Sequence, residues 1–192
     1  MTKTASLEKP LILYAGNFGV AQGLPEILFA IRDYQKNSLL RWKFVGEGNM
    51  KEWALNFVDK HKLHHCISIC EGVDVCEMPA IYNEASALLV SLVGDSGLTK
   101  TIPGRLLSML ASGRPVLGII GGESKKLIEE WNCGLVADPE GSKSIEAMFD
   151  EFLQLSPDQF SEYGLNARKC YDSLFSSLSG RRFLGKALNG FV

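Results

Sequence analysis

The chain has 192 residues, 46% of them hydrophobic, which is enough for one sizeable core and at most two domains. A formal net charge of −2 leaves no electrostatic footprint for nucleic acid, so a DNA- or RNA-binding role is set aside. The longest apolar run, "ALLVSLVG", is far short of the roughly 20 residues of a membrane span, and the opening "MTKTASLEKPLILYAG" has no signal-peptide pattern, so a soluble cytoplasmic chain is expected.

In chain order, residues 1–8 read as a loose leader. "PLILYAG" is a continuous apolar run ended by glycine, the pattern of a strand buried on both faces. Leu24, Ile27, Leu28 and Ile31 then recur at three- and four-residue steps, one apolar helical stripe with Pro25 in its first turn. "RWKFVGEG" is a second strand into a glycine turn, followed by a helix from about Met50 to Lys62. "CISICEG" gives a third strand and "EMPAIYNEA" a short helix, and "SALLVSLVG" is the fourth strand. A helix starts within "TIPGR" and stops at Gly113, "RPVLGII" is the fifth strand, and "SKKLIEEWN" is a helix stopped by Cys133-Gly134. "GLVAD" is the sixth strand, a helix follows near residues 142–155, and the remainder reads as helix.

Six strands alternating with helices through short loops predict an α/β fold. It is a doubly wound, Rossmann-like, six-stranded parallel sheet with helices on both faces and C-terminal helices. The expected division is a leader at 1–8, a Rossmann-like domain at 9–170 and a helical tail at 171–192.

The five cysteines (Cys66, Cys70, Cys76, Cys133, Cys170) are odd in number and irregular in spacing, which fits reduced, mostly buried thiols. "HKLHHCISICEGVDVC" crowds His61, His64 and His65 near three of them, but no pair is matched by a second pair at zinc-site spacing. The histidines are expected to cap a helix C-terminus and Cys66 and Cys70 to pack along the third strand, with no metal bound. Trp42, Trp53 and Trp131 are expected to pack.

In such a fold ligands bind beyond the carboxyl ends of the strands, and the glycines fall there. "GNFGVAQG" follows strand one, "GEG" strand two with Lys51 one turn into the next helix, "EGVD" strand three, "GDSGLTKTIPGR" strand four and "GGES" strand five. Glycine there lets a ligand approach the backbone and opens helix N-termini to phosphate, although tight turns alone also use it. "GNFGVAQG" is not G-x-G-x-x-G and no acidic residue ends strand two, so NAD is disfavoured, and no G-x-x-x-x-G-K-[ST] loop occurs. Five such loops on one rim, with Lys51 and Arg105 as cations, favour a nucleotide-type ligand.

Taken together, "LYAGNFGVAQGLPEILFAI", "FVGEGNMKEWAL", "EMPAIYNEASALLVSL", "TIPGRLLSMLASGRPVLGIIGGES" and "LIEEWNCGLVADPEG" carry a resemblance over about residues 9–170. The chain resembles the C-terminal, nucleotide-sugar donor-binding domain of GT-B-fold retaining glycosyltransferases of the bacterial polysaccharide and lipopolysaccharide type. The T-x-P-[SG]-[KR] pattern at Thr101–Arg105 is similar to the branch that transfers N-acetylated amino sugars, which favours a UDP-type donor. The resemblance implies that Gly16, Asn17 and Gly19 line the cleft near the donor diphosphate and sugar. Gly48 and Lys51 fall where a basic group follows the G-x-G turn, and Gly72 and Val73 match the loop whose backbone pairs with the nucleobase. Thr101, Ile102, Pro103 and Arg105 match the helix start that receives phosphate, and Glu123 matches a loop near the sugar ring. The same resemblance implies no bound metal and no cofactor, the nucleotide sugar being substrate. It also implies an N-terminal acceptor-binding domain, in the same gene or on a partner, that carries part of the catalytic machinery.

This sequence departs from that family at three places. Many relatives carry two glutamates eight positions apart, the second binding the ribose; here those positions are Lys100 and Ser108. Gln22 stands where a lysine is common. The amphipathic, basic tail with Arg181, Arg182 and Lys186 suits contact with an anionic membrane at the inner face, and its uncovered apolar side predicts some self-association. Lys125 and Lys126, in the first turn of a helix, are disfavoured there unless an anion or solvent meets them. Two further classes are open to such a chain: a non-catalytic nucleotide-sugar-binding module needing a partner, and a receiver-like signalling module, for which the clustered aspartates are missing.

Overall fold

The run "LILYA" forms strand β1 (Leu11–Ala15), with Ile12 and Tyr14 entering one core and Leu13 and Ala15 the other. Alternation of apolar side chains to both faces is what a strand covered on both sides requires. A computed structural model describes residues 9–94 and 101–176; the leader, Lys100 and the basic tail from residue 177 lie outside the described residues. The other strands are β2 (Arg41–Val45), β3 (Ile67–Cys70), β4 (Ala87–Ser91), β5 (Val116–Ile119) and β6 (Gly134–Ala137). They pair in parallel in the order β3-β2-β1-β4-β5-β6, so the direction of winding reverses between β1 and β4. The predicted doubly wound sheet is the one observed.

Seven helices among the described residues cover the sheet: α1 (Leu24–Asp33), α2 (Lys51–Lys60), α3 (Met78–Glu84), α4 (Gly104–Ser112), α5 (Gly122–Glu130), α6 (Ser142–Gln154) and α7 (Pro157–Leu174). The core on one face is built from α1, α2 and α6, the other from α3, α4, α5 and α7. Helix α6 returns over the first face, where Phe149 sits 4.8 Å from the Trp42 ring and 5.4 Å from Tyr34. The Tyr34 hydroxyl and Lys36 ammonium both donate to Asp150, at 2.8 and 2.7 Å, which fixes that return.

Helix α7 starts in a capping box, Ser156 Oγ accepting from Gln159 N at 3.2 Å and Gln159 Oε1 from Ser156 N at 3.0 Å. Its Gly164 lies on the C-cap of α4: a Cβ there would stand 2.5 Å from the Gly113 carbonyl oxygen. That close approach aims the end of α7, with Tyr171 and Phe175, at the edge of the ligand cavity described below. The helix runs without a break through residue 170, where the sequence placed a domain boundary.

Cys66, Cys133 and Cys170 are buried, Cys70 half-buried and Cys76 exposed, and none is paired. Burial pushes the Cys133 thiol up to about 12 and those of Cys66 and Cys170 up to about 11, which makes them unreactive. His61 caps α2 as expected, its ring 4.3 Å from Phe57. His64 and His65 sit in a 3-10 turn instead, His64 on Asp59 at 2.5 Å and His65 Nδ1 on the Lys62 carbonyl at 3.1 Å. Among the described residues no group of three or more His, Cys, Asp or Glu side chains could hold a metal ion. Nor is any helix among them long and apolar enough to cross a membrane.

Candidate functional site

The loops after β1, β2 and β3 are joined by backbone hydrogen bonds beyond the last ladder residues. Gly16 N donates to Val45 O at 2.9 Å, Phe18 N to Glu47 O at 2.7 Å and Met50 N to Phe18 O at 2.9 Å. The approach is so close that a Cβ on Gly46 would fall on the Gly16 carbonyl oxygen. Glu47, between the two glycines of "GEG", ties a third loop in. Its Oε1 accepts from the Gly72 amide at 3.2 Å and from the Lys51 ammonium at 2.7 Å. Those two donors, Lys51 first, hold its carboxyl below the usual carboxylate range. Lys51 is the first residue of α2 rather than a turn inside it, and its charge is met within the protein.

On the other side of the switch between β1 and β4 stands Arg105, the second residue of α4. Its Cζ lies 5.1 Å from the centroid of the Tyr14 ring. A Cβ on Gly16 would stand 2.7 Å from its Nη1, so the guanidinium fits there because residue 16 has no side chain. Nη1 is buried without a hydrogen-bond partner, and no carboxylate among the described residues forms an ion pair with this cation. Leaving such a donor unsatisfied costs about 1–3 kcal/mol, more for a charged group, and an anion placed against it removes that cost. Tyr14 donates its hydroxyl to the Asn17 carbonyl at 2.7 Å, which links the guanidinium's platform to the β1 loop. Burial raises the pKa of Tyr14, with the Arg105 charge and a side-chain hydrogen bond from the guanidinium pulling it part of the way back; burial and the same charge act on Tyr82.

A cavity of about 950 Å³ opens beside Arg105, in the range of small-molecule sites. Gly16 and Asn17 form one end; α4 contributes Arg105 and Ser108, α3 Met78 and Tyr82, and α7 Tyr171. It is polar at the switch point and mixed between the helices, where Met78 and Phe175 stand beside Asn83, Ser108 and Ser112. A second cavity of about 320 Å³ lies at the carboxyl ends of β4, β5 and β6, bordered by Gly121, Lys125 and Asp138.

Of the residues singled out in the sequence, Gly16, Asn17 and Arg105 line the larger cavity together. Gly48 packs against Asn17, where a Cβ would stand 2.7 Å from Oδ1. Gly19 precedes the short 3-10 turn Val20–Gln22, and the Asn17 amide donates to Gln22 Oε1 across it at 3.5 Å. Gly72 and Val73 lie on the β3 loop, the Gly72 amide already engaged by Glu47. Thr101, Ile102 and Pro103 lead into α4; Pro103 is its N-cap and supplies no side-chain cap. Buried Ser124 donates to the Thr101 carbonyl at 3.4 Å, fastening α5 to that lead-in. Glu123 is in the first turn of α5, paired with Lys126 at 2.8 Å, and lines neither cavity. Lys125 has Glu129 at 3.8 Å, so both lysines at this helix start have acidic neighbours.

Glu47, Tyr14, Met78, Tyr82 and Tyr171 carried no site expectation. The spacing of Glu47 and Lys51 is an i,i+4 pair legible in sequence; the bond to Gly72 and the walls from α3 and α7 exist only in the folded chain.

The profile of the family "Glycosyl transferases group 1" matches residues 9–158. WcaL of Salmonella typhimurium, which carries the name of a colanic acid biosynthesis glycosyltransferase, is 22% identical over 169 residues, 87% of this chain and 42% of WcaL. The C-terminal domain of LpcC, a group 1 family glycosyl transferase from Francisella tularensis, superposes with a TM-score of 0.70 at 18% identity. That likeness covers 88% of this chain and 87% of the LpcC domain. HepE from Anabaena, solved with UDP-glucose, superposes with a TM-score of 0.76 at 11% identity over 95% of this chain and 49% of its own. The chain therefore spans under half the length of WcaL and of HepE, but most of the solved LpcC domain.

Proposed function

The chain belongs to the group 1 glycosyl transferases, and from that premise we propose that it is the donor-binding half of an enzyme moving a sugar from a nucleotide-diphosphate sugar to a polysaccharide or lipid-linked acceptor. The observation that carries the reading is Arg105, a cation that no carboxylate among the described residues pairs with, its Nη1 buried without a hydrogen-bond partner there, at the point where the sheet reverses. That is the place in an open α/β sheet where ligands bind.

In this reading the diphosphate sits between Gly16 and the start of α4. Transfer breaks the bond from the anomeric carbon to the diphosphate oxygen, forms one to an acceptor oxygen and releases the acceptor hydroxyl proton. Charge left on the nucleoside diphosphate is met by Arg105 and the uncapped amides of α4. The end of the cavity between the helices takes the nucleoside. One relative and one stretch of this chain support a UDP-type donor: HepE was solved with UDP-glucose, and the α4 start here is "TIPGR", similar to the branch that transfers N-acetylated amino sugars. The pattern at Thr101–Arg105 favours an N-acetylated amino sugar as the group transferred. No metal or cofactor is required, the acceptor site comes from a second domain of the same polypeptide or of a partner, and this half alone does not turn over. It works in the cytoplasm at the inner face of the membrane.

Ser108 favours a second reading. It lines the cavity where a ribose carboxylate is expected in this family, which suits a non-catalytic nucleotide-sugar-binding module acting through a partner. Thermal unfolding against UDP, GDP, ADP and CDP sugars tests both. A ligand at about 100 times its Kd adds roughly 2.7 kcal/mol, a rise in Tm of about 5–10 °C. A rise with the UDP series, followed by transfer once an acceptor domain is added, fits the enzyme; a rise without transfer fits the module. No rise with any nucleotide contradicts both.

A further inference from the structure

Arg105 lines the larger cavity, whereas Lys51, at the start of α2 beyond the β2 loop, lines neither cavity. No carboxylate among the described residues forms an ion pair with Arg105, whereas the Lys51 ammonium is 2.7 Å from Glu47, the two side chains being 23% and 60% exposed. Glu47 is itself anchored, by the Gly72 amide at 3.2 Å through its side chain and by the Phe18 amide at 2.7 Å through its carbonyl. The pair is partly exposed, but its acid is tethered to two loops, which restricts the positions it can offer the ammonium.

We propose that Glu47 is a positioning residue that holds Lys51 out of the donor cleft, so that Arg105 is the cation that meets an anionic ligand. This rests on the donor-site reading above and fixes which of its two cations acts. It follows that the pair contributes no net charge to the cleft. Removing the acid exposes a positive charge to the ligand, and removing the lysine exposes a negative one. A residue that merely held the fold would weaken binding when altered and would never strengthen it.

The test is a charge cycle with inorganic pyrophosphate, which reads the anion seat without the nucleoside. Its Kd is measured calorimetrically at low ionic strength for the wild type, Glu47→Gln, Lys51→Ala, the double variant and Arg105→Ala. Glu47→Gln keeps the acceptor for the Gly72 amide and is expected to tighten binding roughly two- to fivefold. Lys51→Ala is expected to weaken it by a similar factor, and the double variant to return to the wild-type value. A double variant as weak as Lys51→Ala alone makes Lys51 a ligand in its own right and overturns the proposal, as does a Glu47→Gln variant that binds no tighter. If those failures occur while Arg105→Ala abolishes binding, the donor-site reading stands without this inference. If the wild type and Glu47→Gln both fail to bind pyrophosphate, both are overturned.

Discussion

The two sides of the switch point differ in how their polar groups are satisfied. On the β1–β2–β3 side the loops donate to one another, and the lysine there has its own carboxylate. On the α4 side a guanidinium is packed over Tyr14 with a buried donor unmet. Of the four buried side-chain atoms without a hydrogen-bond partner among the described residues, only Arg105 Nη1 belongs to a residue that lines either cavity, which is what singles it out as a place for a ligand. On the proposed function, the comparison separates residues that join the loops from the one that would hold an anion entering the cavity.

The largest expected effect breaks the satisfied side. Gly46→Ala places a Cβ on the Gly16 carbonyl oxygen, and since backbone meets backbone there is no flexible side chain to yield. A loss of about 3 kcal/mol or more is expected from urea unfolding. A loss under about 1 kcal/mol would mean that the loops are not joined as described.

The next effect sharpens the unsatisfied side. Arg105→Ala should weaken a nucleoside diphosphate roughly 10- to 100-fold, the worth of a charge-assisted hydrogen bond at about 1.5–3 kcal/mol. Its Tm without ligand should move little, since the lost Tyr14 contact is offset by removal of an orphaned donor. A large fall in unliganded Tm would instead make Arg105 part of the scaffold.

Tyr14→Phe keeps the ring under Arg105 and removes the bond to the Asn17 carbonyl, at a cost of about 1 kcal/mol. Smaller still is the acid dependence. The carboxyls of Glu47 and Asp150 are both held below the ordinary range, first by Lys51 and Lys36 respectively. A depressed folded pKa stabilises above the unfolded value of about 4 and loses that contribution as pH falls through the folded one. Tm should therefore be flat from pH 7 to about 5 and decline below about 4. Glu47→Gln should reduce the steepness of that decline.

The sheet was legible because each strand is a short apolar run ended by a turn signal, and burial on both faces permits little else. "LILYA" and "ALLVS" are the clearest cases, and both lie in the middle of the sheet. The sequence singled out Thr101–Arg105 as a place for an anion, and of that stretch Gly104 and Arg105 line the larger cavity. What sequence did not show is contact across long separations. Nothing in "YAGNFG" says that a guanidinium 89 positions from Gly16 will fill the space of its missing side chain. Lys51 and Arg105 looked equivalent as cations; Glu47 and Gly72 distinguish them, and that bond joins two parallel loops through a turn whose geometry sequence does not fix. The walls from Tyr82 and Tyr171 depend on how α3 and α7 pack on α4, where Gly164 meets Gly113.

The most direct measurement is calorimetric titration of UDP into the wild-type chain and into Arg105→Ala, with the unliganded Tm of each recorded. The account predicts binding to the wild type, a Kd weaker by at least about tenfold in the variant, and nearly equal Tm values. Equal affinity in the two proteins would contradict it, since the anion would then be held by something other than the Arg105 guanidinium at the switch point.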